Sequence, residues 1–234
     1  MFILDGPVHP SEKPTLVFGA RGIATIGLTV YGPKMALHSG HYGNWAPNPA
    51  FQMARLLASM KDDDGRILVE GFYDDIMPLS ATEKRAVAEA PDNDEVMRRD
   101  LLLGRTDGAG KKLSELITVP SLNVRGMSSA RTGDRATNVI PSSATATIDM
   151  RLVKGITPEQ AVARLKKHIE KQGYFVATGS QEPDAATRLN NPRVAWLKQS
   201  ENAYNAVRTS MDLPLSQLVI RNVERAFGKV VKRP

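Results

Sequence analysis

Apolar and polar positions alternate most cleanly over residues 143–152. Ala144, Ala146, Ile148, Met150 and Leu152 fall on one side, and Thr145, Thr147, Asp149 and Arg151 on the other. That period of two describes a strand with one buried face. Residues 15–32 read as two extended runs that pivot at Gly19-Ala20-Arg21-Gly22; in the second, Ala24, Ile26, Leu28 and Val30 form the greasy side. Asn48-Pro49 is a helix start, a capping side chain followed by a first-turn proline. Behind it Ala50, Met53, Ala54, Leu57 and Met60 recur at helical spacing until Asp62-Asp63-Asp64-Gly65. Thr157-Pro158-Glu159-Gln160 has the form of a capping box. The helix it opens carries Val162, Leu165 and Ile169 inward and stops at Gly173, before a further strand over 174–178.

Between these elements, residues 66–118 are polar and charge-rich, with helical stretches at Thr82–Glu89 and Asp94–Leu103. They hold too few apolar positions for a core of their own and read as an insertion. The core resumes at Ser121–Gly126. Residues 179–195, with Pro183 and Asn190-Asn191-Pro192, read as a connector. A last helix follows Asp212-Leu213-Pro214, bearing Leu218, Val219, Val223 and Phe227 and ending at Gly228. Strand, helix, strand, strand, helix, strand is an α+β pattern: an antiparallel sheet with two helices on one face and a polar second face. Phe2-Ile3-Leu4-Asp5 and the run from Lys229 to Pro234 read as strand pieces whose partners lie elsewhere, so both ends are expected to be cut from a larger domain.

Composition narrows the chemistry. The 234 residues contain no cysteine, which excludes disulfides and thiolate metal sites and leaves carboxylate and imidazole as metal ligands. No stretch is long and apolar enough to span a membrane. The net charge of +6 is spread along the chain among acids, as in Glu83-Lys84-Arg85. No aromatic-interleaved basic stripe accompanies it, so a solvated surface is expected rather than a nucleic-acid groove.

Several short motifs occur together in order: Asp5-Gly6-Pro7, Lys13-Pro14-Thr15 with Gly19–Gly22, Leu37-His38-Ser39-Gly40-His41-Tyr42-Gly43, Asn138-Val139-Ile140-Pro141, and Met150-Arg151-Leu152-Val153. As an ordered set they resemble the co-catalytic metallopeptidases of the carnosinase, cytosolic dipeptidase and aminoacylase family. The resemblance implies a cytoplasmic hydrolase of dipeptides or small amides. Its subunit would have a catalytic domain holding two divalent metals, zinc or manganese, with an inserted lid domain that makes a homodimer. On that pattern residues 1–19 and 188–234 would be catalytic-domain remnants, and 20–187 the lid, with its insertion at 66–118.

Residue by residue, the resemblance makes Asp5 a metal ligand; by residue type alone an Asp-Gly-Pro turn fits equally. It makes His38 the lid histidine that reaches into the partner's site and stabilises an oxyanion, where the bland alternative is a surface-loop histidine. Asn138 stands where the family often has threonine, and its amide could bond a substrate carbonyl or carboxylate. Arg151 would clamp the substrate's carboxylate, against the alternative of a cross-strand ion pair. His41 has no counterpart, and His9 and His168 read as surface residues. The family's other metal ligands and its Glu-Glu pair have no match here, and the further substrate histidine would fall near Gly179-Ser180, where there is none. The expectation is a chain that does not hydrolyse peptides alone. A free-standing dimerisation module descended from the lid is the competing reading.

Overall fold

The computed structural model describes residues 9, 11–200 and 202–234. Asp5 lies outside the described residues. In chain order the elements begin with β1 (Thr15–Val17), β2 (Gly19–Ala20), β3 (Gly22–Tyr31) and β4 (Leu37–His38), then α1 (Ser39–Tyr42) and α2 (Pro49–Ala58). The polar segment holds α3 (Ala81–Ala88), α4 (Asp94–Asp100) and α5 (Leu113–Leu116). After it come β5 (Ser121–Ser128), β6 (Val139–Ile140), β7 (Ser143–Leu152), α6 (Pro158–Lys171) and β8 (Phe175–Thr178). The chain closes with α7 (Ala185–Asn190), β9 (Val194–Gln199), β10 (Val207–Arg208), α8 (Pro214–Phe227) and β11 (Val231–Arg233).

One mixed sheet dominates, in the order β5-β7-β3-β9-β8. β3 and β7 pair antiparallel along their full length, from Gly22 against Leu152 to Tyr31 against Ser143. The alternation fixes which face is buried: Ala24, Ile26, Leu28 and Val30 meet Ala144, Ala146, Ile148 and Met150 on the covered side, all essentially fully buried. Over that face lie α2, through Met53 and Leu56, and α6, through Ala161, Leu165 and Ile169. The opposite face carries Thr25, Thr29, Thr145 and Thr147; Thr29 and Thr145 hydrogen-bond across the strands at 3.0 Å. The expected α+β layer therefore stands, with α2 and α6 as its two helices, but the sheet expected to be antiparallel is mixed, because β8 pairs parallel with β9.

Two further expectations change. The lid boundary at 187 falls inside the sheet's connection, because β9 begins at Val194 and pairs with both β3 and β8. The sheet thus ends at Gln199, twelve residues beyond the expected boundary. The physical reason is direction: β8 and β9 are parallel, so the chain must return along the sheet between them, and 179–193 with α7 is that crossover. The insertion also does more than decorate, since Ile67, Val69 and Phe72 are buried in the main core.

The outer segments build a smaller unit. β1 pairs parallel with β11 and β10 antiparallel with β2, and Met211, Ile220 and Ala86 form a minor core beside Leu16 and Phe18. α8 buries Ser216 and Ile220, whereas Leu218 and Phe227 are exposed. Among the described residues no helix is long and apolar enough to cross a membrane.

Candidate functional site

The turn bearing His38 is set by a two-residue ladder. Leu37 pairs with Ile140 and His38 with Val139, and the Ser39 N–H donates to the Asn138 carbonyl at 2.9 Å. Ile140 and Pro141 are buried, so β6 is anchored in the protein and β4 is anchored on β6. His38 is extended (φ −66°, ψ 120°) and caps α1, its Nδ1 accepting the Gly40 N–H at 3.1 Å. The helix lasts one turn; the Gly43 N–H closes it on the Ser39 carbonyl at 2.8 Å. A Cβ at residue 43 would stand 2.6 Å from that oxygen, which requires glycine there. His38, His41 and Asn138 are all exposed. The two imidazoles face each other with centroids 4.8 Å apart, and Tyr42 and Trp45 continue the aromatic surface at 6.0 Å. The structure thus brings His38 and Asn138 together and adds His41 to them.

Arg151 lies elsewhere. It sits on β7 opposite Ile23 of β3 and Ser121 of β5, eight residues along the strand from Ser143. At ~3.3 Å per residue that is about 26 Å from the end of β7 next to β6. Its Nε stands 3.4 Å from the Asp149 carboxylate on the same strand and polar face, and its side chain is 44% exposed. The ion pair is therefore intra-strand, not the cross-strand pair that residue type suggested. Asp149 is buried and also accepts from the Asn123 amide at 2.9 Å.

Arg21, from the Gly19–Gly22 pivot, joins this cluster, near both Arg151 and Asp149. Its guanidinium reaches to β5 and donates to the Val119 carbonyl at 2.8 Å and to Ser121 Oγ at 3.1 Å. Its Nε is buried without a partner among the described residues. Burial, then the nearby Arg151 cation, lower the Arg21 pKa, and the Asp149 carboxylate only partly offsets them. Two guanidiniums around one carboxylate leave an excess positive charge, which suits a carboxylate-bearing ligand. The available signal was a cation set between glycines at the strand pivot.

His9 and His168 contradict the surface expectation: both are buried. The His168 ring hydrogen-bonds Ser59 Oγ at 2.9 Å, tying α6 to the end of α2, and His9 bonds Ser11 Oγ at 2.8 Å. Burial is the main cause holding both below the ordinary histidine pKa. Among the described residues no three or more histidines and carboxylates cluster as metal ligands would. The side chains present do not fit a two-metal centre, and no chemical step can be derived through one.

The family described as peptidase dimerisation domain, of the M20 peptidases, matches residues 18–175. Similar curated proteins are the Cys-Gly metallodipeptidase DUG1 of Saccharomyces cerevisiae, 26% identical over 82% of this chain and 40% of that protein, and the Beta-Ala-His dipeptidase of Rattus norvegicus, 29% identical over 68% of this chain and 33% of that protein. The chain therefore spans two fifths or less of the length of these relatives. Among solved structures it shares the fold of the M20 family metallo-carboxypeptidase Sso-CP2 from Sulfolobus solfataricus, with a TM-score of 0.75 and 24% identity over 98% of this chain and 55% of that one. The sheet and its helices, the ordered motifs and the family match converge: the chain belongs to the dimerisation-domain family of the M20 peptidases.

Proposed function

We propose that this chain is the lid and flanking part of a metal-dependent dipeptidase that works as a homodimer in the cytoplasm on dipeptides or small amides. His38 donates a hydrogen bond to the developing oxyanion of the substrate, and Asn138 bonds a substrate carbonyl or carboxylate beside it. Arg151, with Arg21 behind it, holds the substrate's terminal carboxylate. Zinc or manganese, with Asp5 as one ligand, belongs to the complete site and not to the described residues. On its own this chain does not hydrolyse peptides.

One observation carries the homodimer in this reading. His38 and Asn138 sit at one end of β7 and Arg151 at the other, about 26 Å away at ~3.3 Å per residue. A dipeptide in extended form spans only about 7 Å. A site that uses both ends must therefore take His38 and Asn138 from one protomer and Arg151 from its partner.

Complementation tests this in the complete enzyme. His38→Ala should lower kcat by about 10²–10³ with metal content intact, as loss of an oxyanion donor does. Arg151→Ala should weaken substrates with a free carboxylate and leave amidated ones nearly unchanged. In mixed dimers of the two variants, one site of each pair is intact, so activity should return. Continued inactivity of verified mixed dimers would sink the shared-site assignment.

The second reading, a non-catalytic dimerisation module, is favoured by one fact: the matched family is the dimerisation domain alone. A dimer that binds neither metal nor dipeptide when joined to its native flanks would establish it.

A further inference from the structure

Three details of the Leu37–Gly43 turn concern the proton on His38. First, the ring folds back so that Nδ1 accepts the Gly40 N–H at 3.1 Å. A backbone N–H can only donate, so the nitrogen it meets must be bare; in the neutral ring the proton then sits on Nε2. Second, the space over Gly40 is filled by that ring. A Cβ at residue 40 would stand 3.0 Å from His38 Cε1 and 3.1 Å from Nδ1, closer than ordinary contact. Gly40 lies within the helical turn of α1, a backbone that alanine adopts without strain. A side chain there would press on the imidazole rather than strain the backbone, so the ring would have to shift by a few tenths of an ångström from its place against the turn. Third, His41 flanks the ring at 4.8 Å between centroids, tilted by 41°.

We infer that Gly40 is a positioning residue that holds His38 as the Nε2–H tautomer, with that N–H turned away from the chain toward solvent. Nδ1 and Nε2 are on opposite sides of the ring, so fixing one against the turn directs the other outward. The consequence rests on the proposed role of His38: the Nε2–H form offers a donor to an oxyanion, whereas the other tautomer would present a lone pair. A donor fixed beforehand needs no rearrangement when charge develops. The tautomer itself follows from the turn whether or not His38 acts on substrate.

The test is imidazole nitrogen NMR on the 15N-labelled 234-residue chain in alkaline buffer. There are four histidines, and His38→Gln assigns the His38 signals by difference. The folded chain should show a larger Nε2–H share at His38 than the same chain unfolded in urea. Gly40→Ala should remove that excess, returning the His38 ratio to its unfolded value, while His9 and His168 keep their folded signals as evidence that the fold survives. A wild-type His38 ratio equal to the unfolded one overturns the inference. So does an Nδ1–H majority, or a Gly40→Ala ratio unchanged from wild type. In the complete enzyme, Gly40→Ala should lower kcat less than His38→Ala does, with KM held. A lost tautomer excess with unchanged kcat would refute the oxyanion role of His38 and leave the positioning role standing.

Discussion

The buried histidine at 168 shows how one side chain makes stability depend on pH. His168 is packed under α2 and bonded to Ser59, and burial first, then Lys171, lowers its pKa below the ordinary value of 6.5. The unfolded chain therefore takes up the proton at a higher pH than the folded one. Between the two pKa values the unfolded state binds more protons, so stability rises with pH across that window and falls on acidification. The contribution is complete above about pH 6.5 and is lost as pH drops through the folded value. His168→Gln should flatten the fall in urea midpoint between about pH 7 and pH 5. His9, lowered in the same direction, keeps part of the slope in that variant. An identical slope in wild type and variant would remove His168 as a cause.

Elements in this chain are started by their caps and held by the sheet. α6 has a reciprocal box: Thr157 Oγ1 accepts the Gln160 N–H at 3.3 Å, and Gln160 Oε1 accepts the Thr157 N–H at 2.9 Å. With Pro158 at its first position the start is fully specified. Thr157→Ala should cost about 1 kcal/mol by urea unfolding, with Thr157→Ser close to wild type. A loss near zero would mean that the packing of Leu165 and Ile169 alone sets the helix. α2 shows the complementary limit. Its capping Asn48 was legible, and Oδ1 accepts the Ala50 N–H at 2.9 Å. Its inner stripe is instead Met53, Leu56 and Met60, with Ala54 exposed. A propensity pattern fixes that a helix forms; its rotation against the sheet is decided by packing.

At the scale of the molecule there are two cores of unequal size. The main one joins the sheet, α2, α6 and the start of the polar segment, and Ile148 at its centre is fully buried. Ile148→Ala should cost about 2–5 kcal/mol. The minor core of Met211, Ile220 and Ala86 has few partners, so Ile220→Ala should cost roughly 1–2 kcal/mol. Urea unfolding of both variants checks the order, and equal losses would mean that the outer segments are as well packed as the sheet. Leu215, Leu218 and Phe227 of α8 are each exposed, and they point to different sides of the helix, so they are single exposed apolar residues rather than one face.

The sequence by itself determined the local pieces: the period-two strands at 22–31 and 143–152, the caps at Asn48 and Thr157, and the ordered motifs that carry the family. Each is a short-range signal, written in spacing or in a side chain that bonds its own backbone. Only the tertiary structure decided what those pieces meet. Residues 179–195 read as connector from their Asn-Pro content, yet β9 begins inside that stretch at Val194, because β3 and β8 offer it two partners. His168 lies on a helix whose charges suggest solvent, and it is buried because Ser59 of a distant segment meets it. Arg21 gains its setting from Val119 and Ser121, about a hundred residues away in the chain. The separation of His38 from Arg151 is likewise a property of strand register and length, which nothing in either motif encodes. Such pairings depend on the packing of the whole sheet, and spacing along the chain does not carry that information.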